Sequence, residues 1–568
     1  MRMRRRIELA LLVTAVFATA VALAPPPAAT QSFWQGGDIT EYITDDQAEA
    51  LNTLIASMLP QVLGGFMGPP ATNNPEGAVG MTIWEQGETW DGYTLLSLPQ
   101  GSHGTDPATG SSYGALLVDM DGTLVHKWPM TGFPAKMLPD GTVMGGFGRF
   151  EELIGVPSLV RMDWNHNILW QWDGDPADAW PFGPGPMLPP FQPMNKSGYH
   201  HDFQFSGSPV GYYHPGIGRG YHGKRHHGHG KTLILSNYVT TLDQSCPTGN
   251  PDDPTCISTM RLYDDAIYEV DGDGNTLWKW FAWEHFDEMG FRPDERAHIK
   301  YGFIGFPNAL MATDYQHINN ANYIGPNKWY YKYKDLRFHP DNIIWDSRST
   351  NIIAIIARHD HPKGKWKSGD IIWKLGPDYS VDQPAHSVGQ MIGPHHAHVI
   401  PAGLPGAGNV MVFDNGGMAG LSALIEGLPP NLNPPWGVYR NYSRVVEFNP
   451  RTLQIVWQYV QRERRPNLNG PDAEVYEPDT SYPRKFFAAV ISGAQRLPNG
   501  NTLICEGTQA RIFEVNKKGK IVWEYISPYF GDNFGGPLAG NMVYRAYRVP
   551  KWWVEPHLYG TRPWRPWR

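Results

Sequence analysis

One pattern recurs six times along this chain and constrains its fold more than any other feature. An alternating apolar run leads to an Asp or Asn and usually a Gly, followed by two apolar residues and a Trp, as in residues 267–280. The other copies are residues 115–128, 159–172, 354–373, 444–459 and 511–525. Each copy has the form of two β-strands joined by a polar turn, and a further strand pair, such as residues 494–504, precedes it. Repeated four-stranded units predict an all-β fold, a six-bladed β-propeller.

The spacing between the copies is irregular, which predicts long insertions between strands. The first Trp of each copy stands at positions 170, 278, 373, 457 and 523, and His126 takes its place in the first copy. The insertions fall at the loop between Cys246 and Cys256, at residues 406–435 and at residues 462–483. Long loops of this kind are expected on the surface, covering one mouth of the propeller.

The two ends of the chain differ from the repeats. A basic start and the apolar residues 9–24 predict a secretory signal peptide within residues 1–30, cleaved after Ala24 or near Ala28 and Ala29, with an uncleaved anchor as the alternative. Residues 31–90 are expected to form an extension with one helix, at 48–63 behind a capping box at 44–47. Residues 91–547 form the predicted propeller, and residues 548–568 a Trp-, Pro- and Arg-rich tail. No later stretch is apolar enough to span a bilayer. Together with the predicted signal peptide, this leads us to expect a periplasmic or extracellular location.

Charge and cysteine content narrow the function classes. The net charge is −8, and removing the leader with its four Arg and one Glu leaves −11, which disfavours nucleic acid and anionic membranes as partners. Cys246 and Cys256 bracket a polar loop and are expected to form a disulfide in an oxidising compartment. Cys505 lies in an apolar run and is expected to be a buried, inert thiol.

Histidines occur at one repeat position in three consecutive units. His201, His317 and His395 open the innermost predicted strand of the third, fourth and fifth units, where the second and sixth units have Phe133 and Ser492. Histidines at equivalent positions of neighbouring blades predict one shared site in the central channel.

The next strand of the fourth unit ends in a cation, Arg348, near the same mouth. Its guanidinium is suited to binding an oxyanion, and a surface ion pair with Asp346 is the alternative. Three imidazoles are also a zinc-site pattern, but a neighbouring Arg favours an anion over a dication, so no metal is expected.

Two other histidine groups are present. One is the Gly-rich segment 222–229 and the other is the pair His359 and His361, and neither is assigned a catalytic role.

Five motifs together resemble the bacterial arylsulfate sulfotransferase family. They are residues 316–323, 342–348, 369–376, 394–397 and 412–416, and the likeness covers roughly residues 90–530. The resemblance implies a periplasmic six-bladed propeller that moves a sulfuryl group from an aryl sulfate to a phenol. It also implies a ping-pong reaction through a sulfohistidine, with no nucleotide sulfate donor and no cofactor, and with small aryl sulfates and phenols as partners.

The family's roles map onto this chain by motif. His395 matches the nucleophile, and His201 and His317 match residues that bind the sulfuryl group and assist the leaving phenolate. Arg348 and Asn319 match residues that bind the transferred group.

The chain departs from the family pattern at one position, because His396 stands where the family usually has Asp. His396 is therefore a substrate-binding candidate and the alternative nucleophile, with His398 a more distant one. The family's larger N-terminal domain is not evident, and no dimer is predicted. A propeller that binds a sulfated or other anionic ligand without turnover, and a His-ligated metalloenzyme, remain the rival hypotheses.

Overall fold

The computed structural model describes most of the chain from residue 79 onward. The described residues are 79–105, 112–148, 156–178, 198–206, 211–215, 230–301, 314–421, 436–465, 475–478, 486–529 and 542–560. The predicted signal peptide, the predicted helix at 48–63, the segment 222–229 and the last eight residues lie outside them.

The structure confirms the six-bladed β-propeller. Six antiparallel sheets follow one another along the chain, and the first strands of neighbouring sheets pack together around the ring, so they are the innermost strands.

The strands run from the inside of each blade outward. Blades 1 to 3 consist of Arg545–Val549, Tyr93–Thr105, Ser112–Val118 and Leu124–Trp128; of Thr131–Met137, Val143–Phe147, Ser158–Met162 and Ile168–Trp172; and of Tyr199–Phe205, Thr232–Val239, Tyr263–Val270 and Thr276–Phe281. Blades 4 to 6 consist of Ile318–Tyr323, Ile343–Ser347, Ile352–Ile356 and Ile371–Leu375; of Pro394–Val399, Val410–Asp414, Arg444–Phe448 and Ile455–Tyr459; and of Gly493–Arg496, Thr502–Glu506, Arg511–Val515 and Ile521–Ile526.

The recurring Trp joins one blade to the next. Every aligned position, including His126, lies in the outermost of the blade's own four strands. The indole N–H of Trp373 donates to Pro450 O (2.9 Å), and that of Trp523 donates to Met120 O (2.8 Å). Each carbonyl lies in the turn between the third and fourth strands of the following blade. His126 makes the same contact with Trp164 O at 3.0 Å, which explains why His can replace Trp there.

The two ends of the described chain meet at the seam between blades 6 and 1. The C-terminal strand Arg545–Val549 is the innermost strand of blade 1, while the N-terminal strand Gly80–Trp84 is added to the outside of blade 6. The chain then continues as a helix, Lys551–Tyr559, in which Trp553 is buried. The first part of the predicted tail is therefore folded against the propeller.

Short elements decorate this ring. The helices are Leu242–Ser245, Pro293–Tyr301 and Lys328–Tyr331, and the 3-10 helices are Pro176–Asp178, Ala282–Met289, Leu336–Phe338, Pro384–Val388 and Gly507–Gln509. Two extra hairpins, Gly417–Leu421 with Trp436–Arg440 and Arg462–Arg465 with Val475–Pro478, lie in the two longer predicted insertions. None of the helices in the described ranges is long and apolar enough to cross a membrane.

The cysteines are placed as the sequence predicts. Cys246 and Cys256 form a disulfide with an S–S distance of 2.09 Å. Cys505 is a buried free thiol, and burial raises its pKa far above the ordinary value, which makes it a poor nucleophile.

Candidate active site

Three histidines adopt a left-handed backbone conformation near the start of successive innermost strands. They are His201 in blade 3 (φ 52°), His317 in blade 4 (φ 51°) and His396 in blade 5 (φ 57°). This conformation is uncommon outside glycine and requires support from neighbouring groups. The left-handed position in blade 5 is thus His396, although the repeat alignment matches His395 to His201 and His317. The sheet register is irregular beside all three histidines, opposite His201, directly after His317 and between His395 and His398.

A carboxylate of the preceding blade supports two of these turns. Ile318 N–H, directly after His317, donates to Asp265 Oδ2 at 3.0 Å. Ala397 N–H, directly after His396, donates to Asp346 Oδ2 at 2.5 Å. Asp346 is therefore committed to the backbone of the next blade.

His201 and His317 meet between blades 3 and 4. Their ring centroids are 4.7 Å apart in an edge-to-face arrangement. Phe133 packs against His201 at 4.5 Å, and the Tyr544 hydroxyl donates to His201 O at 3.0 Å. The two imidazoles thus lie beside aromatic rings, a setting that suits an aryl substrate.

Asp314 orients His317. Its Oδ2 lies 2.5 Å from His317 Nδ1, so the carboxylate accepts the Nδ1 proton and leaves Nε2 as the nitrogen that exchanges protons with a substrate. The pair has the form of a general acid held by a carboxylate.

His395 is held in one tautomer. The side-chain amide of Asn415 donates to Ala488 O (2.8 Å) and Ile491 O (2.9 Å), which fixes its oxygen toward His395. His395 Nδ1 lies 2.8 Å from that oxygen and 3.0 Å from Gly393 O, so Nδ1 carries the proton. The lone pair of His395 is therefore on Nε2.

His395 is also neutral. It is 1% exposed, and burial, opposed by the Gly393 hydrogen bond and reinforced by Arg348 and Arg545, holds its pKa well below the usual range. Neutral imidazole is the nucleophilic form of histidine.

A backbone amide occupies the lone pair of His395 Nε2. Ile491 N–H donates to this nitrogen at 3.0 Å. Ile491 and the next residue, Ser492, have φ angles of 54° and 88°, which are strained for residues with side chains. A reaction at Nε2 would require this hydrogen bond to open.

Two arginines place positive charge around His395. Arg348 is partly buried, and its backbone N–H donates to His317 O at 3.0 Å. Burial lowers the pKa of its guanidinium to about 10 against the opposing effect of Asp314, so the group stays charged at neutral pH. Arg545 comes from the C-terminal strand and donates to Asn319 O at 2.7 Å. Asn319 in turn is fully buried and donates to Pro394 O (3.1 Å), next to His395.

His396 has different surroundings from His395. Its ring lies 4.5 Å from that of His398 and 5.8 Å from that of Tyr547. Burial lowers its pKa well below the usual range, with Arg545, His398 and Lys136 as the next causes. Neither ring nitrogen of His396 makes a well-aligned hydrogen bond. The backbone of Ala494 acts against burial and raises the pKa of His396.

Lys136, Asp202 and Arg545 form the charged part of this second cluster. Lys136 Nζ lies 2.6 Å from Asp202 Oδ1, and Arg545 lies 3.2 Å from the other oxygen of the same carboxylate. His395 and His396, neighbours in sequence, thus belong to two different groups of side chains.

Several residues of this site were not singled out from the sequence. Asp314 stands three residues before His317, and Asn415 lies inside one of the five motifs, so sequence analysis could have identified both. Ile491 adjoins Ser492, the aligned position of the sixth unit, whereas Arg545 carries no such signal because only closure of the ring brings it to the histidines.

A group of potential metal ligands lies outside the channel. Within the described ranges, the one group of His, Cys, Asp or Glu side chains close enough to share an ion is His339, Asp341 and His359, none of which belongs to the site above.

Comparison with known proteins agrees with the motifs. No curated protein matches the chain. Among solved structures, a protein of unknown function from Bacteroides caccae is 11% identical with a TM-score of 0.36, over 81% of this chain and 100% of its own. The periplasmic gluconolactonase PpgL of Pseudomonas aeruginosa is 11% identical with a TM-score of 0.29, over 77% and 97%. The arylsulfotransferase (ASST) family model matches residues 252–464, which include His317, Arg348 and His395. The resemblance to the arylsulfotransferase family is therefore confirmed over residues 252–464, and with it a sulfotransferase activity in the broad sense.

Proposed function

We propose that this chain transfers a sulfuryl group from an aryl sulfate to a phenol by a ping-pong reaction through a sulfohistidine at His395. The observation that carries the proposal is the state of that residue: it is neutral, its proton is held on Nδ1 by Asn415, and its Nε2 lone pair lies near Arg348 and Arg545. A covalent intermediate on such a nitrogen divides a difficult transfer into two displacements.

In the first displacement, His395 Nε2 attacks sulfur and the bond from sulfur to the aryl oxygen breaks. The departing phenolate takes a proton from Nε2 of His317, which Asp314 holds in place through Nδ1. Arg348 and Arg545 supply positive charge for the oxygens of the transferred group, with Asn319 joining Arg545 to the strand of His395.

In the second displacement, an acceptor phenol gives its proton to His317 and its oxygen attacks sulfur. The bond from sulfur to Nε2 breaks and neutral His395 is restored. His201, Phe133 and Tyr544 border His317 and are suited to hold the aryl ring of donor and acceptor in turn.

The surroundings of the two neighbouring histidines favour His395 over His396 as nucleophile. Arg348 and His317 are among the groups that act on His395, whereas His398 and Lys136 are among those that act on His396, and Arg545 acts on both. We assign His396 to the deeper wall of the binding site. A periplasmic or extracellular location is part of the proposal and is supported by the Cys246–Cys256 disulfide.

The decisive experiment compares His395→Asn with His396→Asn. Each variant is incubated with 4-nitrophenyl sulfate alone in metal-free buffer and examined by intact-protein mass spectrometry, then assayed with phenol as acceptor. We expect the mass of one added SO3 group on the parent and on His396→Asn, and neither adduct nor turnover for His395→Asn. An adduct on folded His395→Asn would show that a different residue is the nucleophile. Binding of the aryl sulfate without turnover by the parent chain would instead identify a binding propeller.

A further inference from the structure

Three metal-binding side chains converge at one edge of blade 4, away from the proposed sulfuryl site. His339 follows the 3-10 helix Leu336–Phe338, and Asp341 precedes the second strand of the blade. His359 follows the third strand, Ile352–Ile356. The second strand begins where the third ends, because Ile343 pairs with Ile356, so the sheet register itself brings the three residues together.

The ligand atoms are spaced for a single ion. His359 Nε2 lies 2.9 Å from Asp341 Oδ2, and His339 Nδ1 lies 3.9 Å from the same oxygen. One ligand atom from each residue fits within 4.8 Å of the others. In a tetrahedral site with bonds of about 2.0 to 2.1 Å, ligand atoms stand about 3.3 Å apart. Side-chain movements of under about 1 Å therefore convert this group into a coordination set.

The hydrogen bonds of the group suit a cation. His339 Nδ1 accepts the Asp341 N–H at 3.2 Å, so this nitrogen carries the lone pair that a metal ligand must offer. A bound ion would take over the place of the proton that now joins His359 to Asp341.

The charged residues beside His359 are paired with other side chains and do not compete for the three ligands. Arg358, next to His359, is paired with Glu269 at 2.9 Å, and Asp360 is paired with Lys367 at 2.8 Å. The Tyr330 ring packs edge-to-face on His339 at 4.7 Å and restricts that imidazole. The side chains of Asp341 and His359 are 59% and 54% exposed, so an ion can enter and keep water ligands.

We propose that His339, Asp341 and His359 form a binding site for one divalent first-row transition metal ion. Two imidazoles and one carboxylate favour Zn²⁺, Ni²⁺ or Cu²⁺ over Ca²⁺ and Mg²⁺, which prefer oxygen ligands. The ion joins the loop before the second strand to the loop after the third. The site is independent of the sulfuryl-transfer proposal, because it shares no residue with it.

The test is a Zn²⁺ titration of the full chain by isothermal calorimetry. His222, His226, His227 and His229 are first replaced by Ser, because that histidine-rich segment offers a competing binding site. We expect one Zn²⁺ per chain and a thermal unfolding midpoint that rises with Zn²⁺. Asp341→Asn and His359→Gln should each weaken binding at least about tenfold and abolish the midpoint shift.

His361→Gln is the matched control. It removes an imidazole from the same loop, but His361 packs on Trp366 and is not part of the group. Its Zn²⁺ affinity should equal that of the parent. The proposal is overturned if the parent shows neither heat nor midpoint shift, or if folded Asp341→Asn and His359→Gln bind Zn²⁺ as tightly as the His361→Gln control.

Discussion

Replacing Asn415 by Ala removes the side chain that fixes the tautomer of His395. Three hydrogen bonds disappear, one from His395 Nδ1 (2.8 Å) and two to the carbonyls of Ala488 (2.8 Å) and Ile491 (2.9 Å). At roughly 1 kcal/mol for each bond, the free energy of unfolding falls by about 3 kcal/mol. His395 Nδ1 keeps only Gly393 O, at 3.0 Å. Losing one of two ring anchors raises the barrier by roughly 1 to 3 kcal/mol, which is about a 5- to 150-fold fall in kcat/KM.

The assay is the steady-state transfer from 4-nitrophenyl sulfate to phenol, with urea unfolding measured in parallel. Ser443→Ala is the matched control, because Ser443 Oγ bonds Asn415 O (2.6 Å) and Ala488 N (2.9 Å) but does not touch His395. We expect Ser443→Ala to lose stability and keep its activity. If Asn415→Ala, well below its unfolding midpoint, has the same kcat/KM as Ser443→Ala, the proposed role of the tautomer is refuted.

Three further predictions concern the same site. Asp314→Asn should lower kcat/KM for phenyl sulfate at least about tenfold more than for 4-nitrophenyl sulfate, because the poorer leaving group depends on proton donation by His317. An equal fall in kcat/KM for both substrates contradicts that role. Arg545→Met should lower kcat/KM by at least about 100-fold through loss of a buried charge, measured on protein shown to be folded by circular dichroism; activity within a factor of about two of the parent removes Arg545 from the mechanism. His200 and His398 are buried and their pKa values fall to about 4, whereas the unfolded chain protonates them near 6.5. The unfolded state therefore binds more protons below pH 6.5, and the free energy of unfolding should drop by about 2 kcal/mol per histidine between pH 7 and pH 5; a urea midpoint that is unchanged or higher at pH 5 argues against neutral burial.

The fold could be predicted because its repeat has a local cause. The aligned Trp side chains stand in the outermost of each blade's own four strands, and four of the six aligned positions bond a carbonyl in the next blade's turn, as Trp373 does with Pro450. Because the same bond recurs in successive blades, the Trp recurs in the sequence as part of a recognisable motif. The place of the strand Arg545–Val549 was not visible in the same way, since it belongs to blade 1 through pairing with residues more than 400 positions away.

The candidate site was predictable only in part. Three histidines at one repeat position indicated a shared site, but two adjacent histidines in blade 5 left the alignment ambiguous by one residue, and the left-handed turn falls on the second, His396. Of the side chains that set the state of those histidines, Asn415 follows the neighbouring strand of the same blade, whereas Arg545 reaches them from blade 1. Contacts of that kind follow from the closed ring and have no spacing rule along the chain.

The position of Arg545 links the proposed activity to closure of the ring. Arg545 lies in Arg545–Val549, the innermost strand of blade 1, which pairs with Tyr93–Thr105 from the other end of the propeller. A chain that has folded blades 2 to 5 already contains His201, His317 and His395, but lacks this charge until that strand is in place. A polypeptide truncated before Arg545 would then bear the proposed nucleophile without the cation, and turnover would serve as a direct signal that the ring has closed.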